Sequence, residues 1–391
     1  MSEARWLAHL FEAHLAREDS RSIIAPRCYD LRVEQTFYRR PLPPDTIAFS
    51  SPEGRALFAD ALARGGLDGY FQLAEQFHTQ SDPAFCGLGS LVVALNALAI
   101  DPGRLWKGPW RWFAEDLLDC CVPLPQVRAR GLTLDELSCL ARCNGAEVEA
   151  VHSTPEPSDL HAFRSALAAC ARGERVLIAS YDRAALGQTG SGHFSPLGGY
   201  HAERDMVLLL DVARFKYPPH WVRGEALWRA MHAIDPAAGR SRGWLSLRAR
   251  AHGVALGFTL RCSEASWQVL ASRLEAAHRE LADASDLHAL ICALRPIASA
   301  VELRTPTTKA HETALRHARQ ALRALPLYAR VEAQLTEGAE VITLLLLASR
   351  ELLSPAQRAQ LGELTLAEPL DDELRNLGAQ IAAVLAAQGS T

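Results

Sequence analysis

A cysteine, a histidine and an aspartate occur in an order that suits acyl transfer by a thiol nucleophile. Cys86 stands near the start of an apolar segment, Phe85 to Ile100, that predicts a buried helix. A thiol at the first turn of a helix faces unpaired N–H groups and the positive end of the helix dipole, and both favour the reactive thiolate. We therefore predict Cys86 as the nucleophile, although taken alone it could equally be an inert cysteine at a helix start.

A glycine-rich segment, Gly190 to Gly192, leads into His193 and an apolar run. A second apolar run, Met206 to Ala213, follows after about five polar residues, so the pair predicts a β-hairpin. In that hairpin Asp211 would lie roughly across from His193. A histidine there can take a proton from the thiol and return it to a leaving amine, while the carboxylate fixes its tautomer.

Gln80 lies six residues before Cys86. In papain-like sites a glutamine amide at this offset and the N–H of the nucleophile form an oxyanion hole, so we predict that role for Gln80. A surface glutamine in a loop is the alternative. His193 follows Cys86 by 107 residues, fewer than the roughly 130 to 150 of papain relatives, which indicates a compact variant of that site.

Composition excludes several classes of function. The 391 residues carry a formal net charge of −4 and no long basic block, which argues against a nucleic-acid partner. Nine cysteines without a regular framework predict reduced thiols in a reducing compartment. The longest apolar run, Val341 to Ala348, is too short to span a membrane. A cytoplasmic location is expected; acidic residues around Arg5 to Arg17 argue against an organellar transit peptide.

The texture of the sequence changes near residue 250. Residues 37–250 mix helical and strand patterns, whereas from Glu264 onward apolar residues recur at helical spacing. We predict an α+β, papain-like catalytic domain with an antiparallel sheet and an N-terminal catalytic helix over 37–250. A mainly α-helical C-terminal domain follows over 251–391, and residues 1–36 form an N-terminal extension.

Long stretches around these residues resemble one family. From about Phe37 to Leu247 the chain is similar to the phytochelatin synthases, which are glutathione γ-glutamylcysteinyltransferases. The resemblance rests on FYRRPLP at Phe37, TQSDPAFCGLGSL at Thr79, DPGRLWKGPWRW at Asp101, LLDCC at Leu117, QTGSGHFSPLGGY at Gln188 and AERDMVLLLDVARFKYPPHWV at Ala202.

The resemblance implies a reaction. Cys86 would attack the Cys–Gly bond of glutathione, release glycine, and pass the γ-Glu-Cys acyl group to a second glutathione or to a phytochelatin peptide. No organic cofactor is implied. A heavy-metal ion, cadmium or else zinc or copper, is expected as activator, in part through metal-thiolate substrates. The oligomeric state stays open, with a homodimer as one arrangement.

The resemblance also implies substrate-binding residues. Gly192, Arg214 and Tyr217 fall in matching stretches, and Arg242 is a further candidate for holding a substrate carboxylate, which a guanidinium can bind in bidentate fashion. Ordinary surface ion pairs are the alternative for both arginines.

Four cysteines match a set in the catalytic half of the family: Cys120, Cys121, Cys139 and Cys143. They are candidates for a soft-metal site, although their spacing is not that of a zinc ribbon and they could instead fill a core. After residue 250 only Cys262 and Cys292 occur. Three rival functions stay open: a glutathione hydrolase with the same triad, a general protease, and a non-catalytic metal-binding protein.

Overall fold

The computed structural model describes residues 38–103, 105–120, 122–250, 257–260, 267–303 and 309–388. They all belong to one compact unit of the chain. Apolar side chains cluster separately within residues 57–247 and within residues 258–384. The domain boundary near residue 250 stays a prediction, and the N-terminal extension lies outside the described residues.

The strands of the described residues are β1 (Ile47–Ala48), β2 (Ala146–His152), β3 (Val176–Asp182), β4 (Gly192–His201), β5 (Met206–Leu209), β6 (His220–Arg223), β7 (Ile234–Asp235), β8 (Arg240–Ser241), β9 (Gly243–Ala249), β10 (Phe258–Leu260) and β11 (Val301–Leu303). Seven of them form a single sheet in the order β1-β6-β5-β4-β3-β9-β2, and every neighbouring pair is antiparallel. Two short pairs, β7 with β8 and β10 with β11, lie outside this sheet.

Helices pack against this sheet and continue beyond it. In the catalytic half they are α1 (Pro52–Ala63), α2 (Tyr70–Ala74), α3 (Cys86–Ala97), α4 (Leu124–Arg130), α5 (Leu134–Cys143), α6 (Pro157–Ala171) and α7 (Gly224–Met231). In the C-terminal part they are α8 (Trp267–Asp283), α9 (Leu287–Leu294), α10 (Lys309–Arg323), α11 (Pro326–Glu332), α12 (Ala339–Ala348), α13 (Pro355–Leu361) and α14 (Glu368–Gln388).

Helix α3 positions the nucleophile and packs against β4. Its first ten residues are all buried, which explains why the sequence there is apolar and small on every side rather than amphipathic. Gly89 allows a close approach, since a Cβ at this position would lie 3.0 Å from Glu115 Oε1. The helix therefore has fixed neighbours on all its faces.

Helix α14 contacts both parts of the described chain. It packs against α5 on the catalytic side and against β10, α8 and α12 on the C-terminal side. Its Glu373 carboxylate accepts hydrogen bonds from the N–H groups of Gly257 and Phe258, at 2.7 and 3.0 Å. Gln380 Oε1 accepts one from Leu260 N at 2.7 Å. Strand β10 is thereby tied to the helix through its backbone.

The predicted class and most predicted elements are confirmed. The described residues form a mixed α+β structure with an antiparallel sheet and a helical C-terminal region. The helix predicted over Phe85 to Ile100 and the strand predicted over Val176 to Tyr181 are observed within three residues of those limits. No helix in these ranges combines the length and apolar character needed to cross a membrane.

The expectation that all the cysteines are reduced is wrong, because Cys139, on α5, is disulfide-bonded. Cys86, Cys170 and Cys292 carry free thiols. A disulfide requires two sulfur atoms at bonding distance in the folded chain. An odd number of cysteines and an irregular spacing say nothing about such a distance, so composition could not reveal the bond.

Candidate active site

Cys86 lies where the buried helix α3 begins. The loop before it is shaped by Asp82, whose carbonyl accepts a hydrogen bond from Phe85 N at 2.9 Å and whose carboxylate accepts one from Ala84 N at 3.0 Å. No side chain caps the first turn of α3. The N–H groups of that turn are therefore available to an anion close to the sulfur, as expected for a thiolate nucleophile.

His193 and Asp211 meet as the hairpin predicts. His193 begins the buried part of β4, and Asp211 follows β5, the next strand of the sheet. His193 Nε2 lies 2.9 Å from Asp211 Oδ1, and the carboxyl group is completely buried. Because Nε2 is engaged by the carboxylate, Nδ1 is the nitrogen left for the thiol. Cys86 is within hydrogen-bonding reach of this imidazole.

The three groups shift one another toward their charged forms. Burial disfavours the thiolate of Cys86, but the charge and hydrogen bond of His193 outweigh it and lower the pKa of the thiol. Burial likewise opposes a charged His193, yet the Asp211 carboxylate raises the pKa of the imidazole. The pKa of Asp211 is held far below its ordinary value by His193 and then by Arg183, against the effect of burial. Both shifts act in the direction of a thiolate–imidazolium pair.

Arg183 is a functional residue that the sequence did not reveal. Its guanidinium is only 3% exposed, and Nη2 lies 3.0 Å from Asp211 Oδ1 and 2.8 Å from Oδ2. The ring of Tyr217 lies against the same guanidinium, 5.1 Å from its central carbon. A buried arginine is rare unless it has a counter-charge, and Asp211 supplies it. The one sequence signal was its place directly after an apolar strand.

Gln80 is buried beside Cys86's helix but is held by its own loop. Its Nε2 donates to the carbonyl oxygens of Asp82 and Pro83, at 2.8 and 3.0 Å. Its position fits the predicted oxyanion role, yet in this structure the amide hydrogens face the loop rather than an open space. The role therefore stays a prediction that requires the amide to share or exchange these contacts.

Glu115 holds that loop from the other side and was not predicted. Its carboxylate, 5% exposed, accepts hydrogen bonds from Ser81 N at 3.0 Å and from the Ser81 hydroxyl. His78 Nε2 lies 3.3 Å from its other oxygen. A buried carboxylate needs such donors, and here they fix the residue that follows Gln80. In the sequence, Glu115 resembles any other acidic residue of a loop.

Gly192 and Arg242 lie together next to His193. The guanidinium of Arg242 rests against Gly192 so closely that a Cβ on that glycine would overlap it. Arg242 is 8% exposed, and its Nη1 lies 3.1 Å from Asp235 Oδ2. Two of the predicted substrate-binding residues, Gly192 and Arg242, thus lie next to the catalytic base His193.

Arg214 and Tyr217 occupy different positions from that pair. Arg214 is exposed, lies over the ring of Phe77 at 4.6 Å, and has Nη1 3.5 Å from Thr79 Oγ1. Tyr217 is 1% exposed, and its hydroxyl accepts a hydrogen bond from Thr189 N at 2.8 Å. Tyr217 is therefore placed to support the loop before His193, while Arg214 is accessible to a ligand.

The predicted metal cluster receives little support. In the described ranges no group of three or more His, Cys, Asp or Glu side chains is placed to hold a metal ion. Cys121 lies outside those ranges, and the sulfur of Cys139 is already bonded to another sulfur. Thiolate sulfur is what a soft metal needs, so a site that includes Cys139 would first require reduction of its disulfide.

The sequence is similar to known proteins of one family over its catalytic half. The family model described as phytochelatin synthase matches residues 37–244. The glutathione gamma-glutamylcysteinyltransferase 3 of Lotus japonicus is 52% identical over 239 residues, covering 61% of this chain and 50% of the relative. Glutathione gamma-glutamylcysteinyltransferase 1 of Arabidopsis thaliana is 50% identical over 242 residues, again 61% and 50%. That of Schizosaccharomyces pombe is 45% identical over 217 residues, 55% and 52%.

The chain spans about half the length of the curated relatives it matches. The matched region contains Cys86, His193 and Asp211, together with Arg183 and Glu115. Since the family model covers more than half of the sequence, the chain belongs to the phytochelatin synthase family.

Proposed function

We propose that this chain makes phytochelatins from glutathione by transferring γ-Glu-Cys from one glutathione to another. The observation that carries the proposal is the buried Cys86, His193 and Asp211 arrangement, in which Nε2 of His193 lies 2.9 Å from Asp211. The choice of glutathione as the substrate rests on relatives named glutathione gamma-glutamylcysteinyltransferase, which are about half identical over the same region.

In the first half of the reaction the Cys86 thiolate attacks the carbonyl carbon of the Cys–Gly bond. Negative charge develops on the carbonyl oxygen, where the N–H of Cys86 and the amide of Gln80 are the proposed donors. The C–N bond breaks as the imidazolium of His193 gives its proton to the departing amine of glycine. A γ-Glu-Cys thioester on Cys86 is left.

In the second half the α-amine of another glutathione, or of a phytochelatin peptide, attacks the thioester. His193 takes the amine proton, a new peptide bond forms, and the Cys86 thiolate departs. Arg242 is proposed to bind a substrate carboxylate beside Gly192, with exposed Arg214 as a second anchor. Glutathione carries two carboxylates, so both guanidinium groups have a use.

A heavy-metal ion is proposed as activator, in the form of its glutathione thiolate complex. Soft cations such as cadmium bind thiolate sulfur strongly, and the substrate itself supplies that sulfur. This route does not depend on the Cys120 to Cys143 cluster, in which Cys139 is disulfide-bonded. A cytoplasmic location and a homodimer stay predictions.

The test is mass spectrometry of the products formed by purified protein from millimolar glutathione, with and without cadmium. Cadmium-dependent (γ-Glu-Cys)n-Gly from the wild type, and none from Cys86→Ser, is the expected result. Free γ-Glu-Cys and glycine without longer chains would make the protein a hydrolase with the same triad. Full activity of Cys86→Ser would remove the nucleophile from the proposal.

A further inference from the structure

A chain of hydrogen bonds continues from Arg183 into the protein interior. Arg183 Nη1 lies 2.5 Å from Gln188 Oε1, and Gln188 Nε2 lies 2.8 Å from Nε2 of His220. Nδ1 of His220 lies 2.8 Å from the carbonyl oxygen of Pro218. Gln188 and His220 are 4% and 0% exposed. Neither touches the thiol, and neither has a part in the reaction described above.

The two ends of this chain fix every proton in it. A guanidinium can only donate, so Oε1 of Gln188 accepts and its Nε2 must donate to His220. A carbonyl can only accept, so Nδ1 of His220 must carry the proton given to Pro218. His220 is therefore neutral, with its proton on Nδ1 and its Nε2 lone pair toward Gln188. Burial, aided by the nearby Arg183 charge, lowers the pKa of His220 and favours the same neutral form.

We propose that His220, acting through Gln188, is a positioning residue that holds Arg183 against Asp211 and thereby sets the ionisation of Cys86 and His193. The inference deepens the proposed function and rests on it only for the use to which the ionised pair is put. The Arg183 guanidinium has polar contacts with the Asp211 carboxylate and with Gln188, in addition to the ring of Tyr217 against its face. Asp211 contacts Nη2, whereas the Gln188 contact fixes Nη1.

The position of Arg183 affects the ionisation of Cys86 and His193 because charged and titratable groups lie close together here. Asp211 and Tyr181 face His193, and Arg183 and Lys216 add positive charge near Asp211. The charged and titratable groups around His220 are Tyr217, Asp211, Arg183 and His193. The positive charge of Arg183 lowers the pKa of both Cys86 and His193. If the guanidinium moves outward, the thiolate loses part of its stabilisation. Protonation of His220 would have the same effect, because Nε2–H would then oppose the Gln188 N–H group.

The experiment measures the rate of Cys86 alkylation by iodoacetamide against pH in the full chain, without glutathione, with the adduct located by peptide mass spectrometry. His220→Leu removes the acceptor. We expect the midpoint of the rate profile to rise by about one pH unit, so that alkylation at a pH well below both midpoints is about tenfold slower. His220→Gln restores an acceptor for the Gln188 amide and should react within about twofold of the wild type.

A second buried histidine of the same sheet serves as the matched control. His201 is 2% exposed and has Nε2 2.7 Å from Asp60, so its hydrogen bond lies outside the chain that joins Arg183, Gln188 and His220. His201→Gln should leave the alkylation midpoint unchanged. Thermal unfolding of each variant reports whether the fold is kept. Should His220→Leu not fold, Gln188→Met breaks the same chain one link closer to Arg183 and should show the same shift.

A folded His220→Leu or Gln188→Met protein with the wild-type midpoint overturns the inference. An equal shift in His201→Gln also overturns it, because the effect would then be one of general packing. The measurement does not use glutathione turnover. If the wild-type protein makes no phytochelatin but the variants show the shift in the alkylation midpoint, the proposed function is refuted. The positioning of Arg183 by His220 through Gln188 would still be supported.

Discussion

Cys86 and Cys170 are both buried thiols, and their surroundings move their pKa values in opposite directions. Burial raises the pKa of Cys170, on α6, to about 11, and only a backbone hydrogen bond opposes this rise. Its Sγ lies 3.5 Å from the carbonyl oxygen of Leu197. Cys86 is buried as well, but His193 and Arg183 supply positive charge beside it and lower its pKa. Reactivity here is decided by the neighbouring charges, not by exposure.

The first prediction concerns this contrast. Limited iodoacetamide at pH 7 should label Cys86 before Cys170, with a rate profile for Cys86 whose midpoint lies below the roughly 8.5 of an ordinary thiol. The sign follows because a lowered pKa leaves more thiolate at any pH beneath the ordinary value. Peptide mass spectrometry measures both adducts in one sample. Equal labelling of the two thiols, or a midpoint above 8.5, would contradict the ion pair.

The second prediction separates two neighbouring arginines. Arg242 is buried against Gly192 and paired with Asp235, whereas Arg240 is exposed and paired with Asp135 at 3.2 Å. Arg242→Lys loses the planar group and should raise KM for glutathione about tenfold, as expected for one lost charge-assisted contact. Arg240→Lys is the control and should leave KM unchanged, since exposed ion pairs contribute little. Steady-state kinetics distinguish the two, and equal effects would refute the anchor.

At the scale of the element, α14 contains a glycine whose replacement tests packing against helix propensity. Gly→Ala in a helix usually stabilises by about 0.5–1 kcal/mol. At Gly378, however, a Cβ would lie 2.7 Å from the carbonyl oxygen of Ala348 at the end of α12. We predict that Gly378→Ala lowers the free energy of unfolding by about 1–3 kcal/mol, because α12 and α14 must separate.

Urea unfolding followed by circular dichroism measures that change. Ala382→Gly, at an exposed position on the same helix, should cost only about 0.5–1 kcal/mol from propensity. A stabilised Gly378→Ala protein would show that there is room for a methyl group between Gly378 and the carbonyl oxygen of Ala348.

The elements that the sequence predicted well are those with a strong local pattern. The catalytic helix, the strand before Arg183 and the hairpin of His193 were visible as apolar runs bounded by polar or glycine-rich segments. A run of consecutive apolar residues indicates a segment that is buried in the folded chain. These runs predicted that His193 and Asp211 lie close together, because His193 lies on β4 and Asp211 comes just after β5, the neighbouring strand.

Charged residues that act from the interior were beyond this reasoning. Arg183 and Glu115 are both buried, but in sequence neither differs from a surface charge. Each can be buried because it has a partner distant in the sequence. Asp211 is the counter-charge of Arg183, and Ser81 donates hydrogen bonds to Glu115. The Cys139 disulfide escaped prediction for the same reason, since it too depends on a tertiary distance.

At the scale of the whole molecule, α14 links the C-terminal helices to the catalytic half. Glu373 accepts the N–H groups of Gly257 and Phe258, and the same helix packs against α5. We predict that Glu373→Leu lowers the free energy of unfolding by about 2–4 kcal/mol, because it leaves two buried N–H groups without an acceptor.

Glu373→Gln retains one acceptor oxygen and should fall between this variant and the wild type. Denaturant unfolding should be followed by circular dichroism and by Cys86 alkylation in parallel. Because α14 contacts both parts of the chain, the denaturant concentration at the midpoint of unfolding should fall by the same amount in both measurements. A loss of helix signal with an unshifted Cys86 midpoint would show that the C-terminal part unfolds independently.

The hydrogen bond between His193 and Asp211 also bears on the order of folding. It closes a loop of 18 residues, whereas bringing Cys86 to His193 closes one of 107. The longer closure costs about 1.6 kcal/mol more in chain entropy. We therefore expect the base and its carboxylate to come together first as a local hairpin, and the nucleophile to reach them when α3 docks on β4. The appearance of a fast-reacting thiol during refolding would time that docking event.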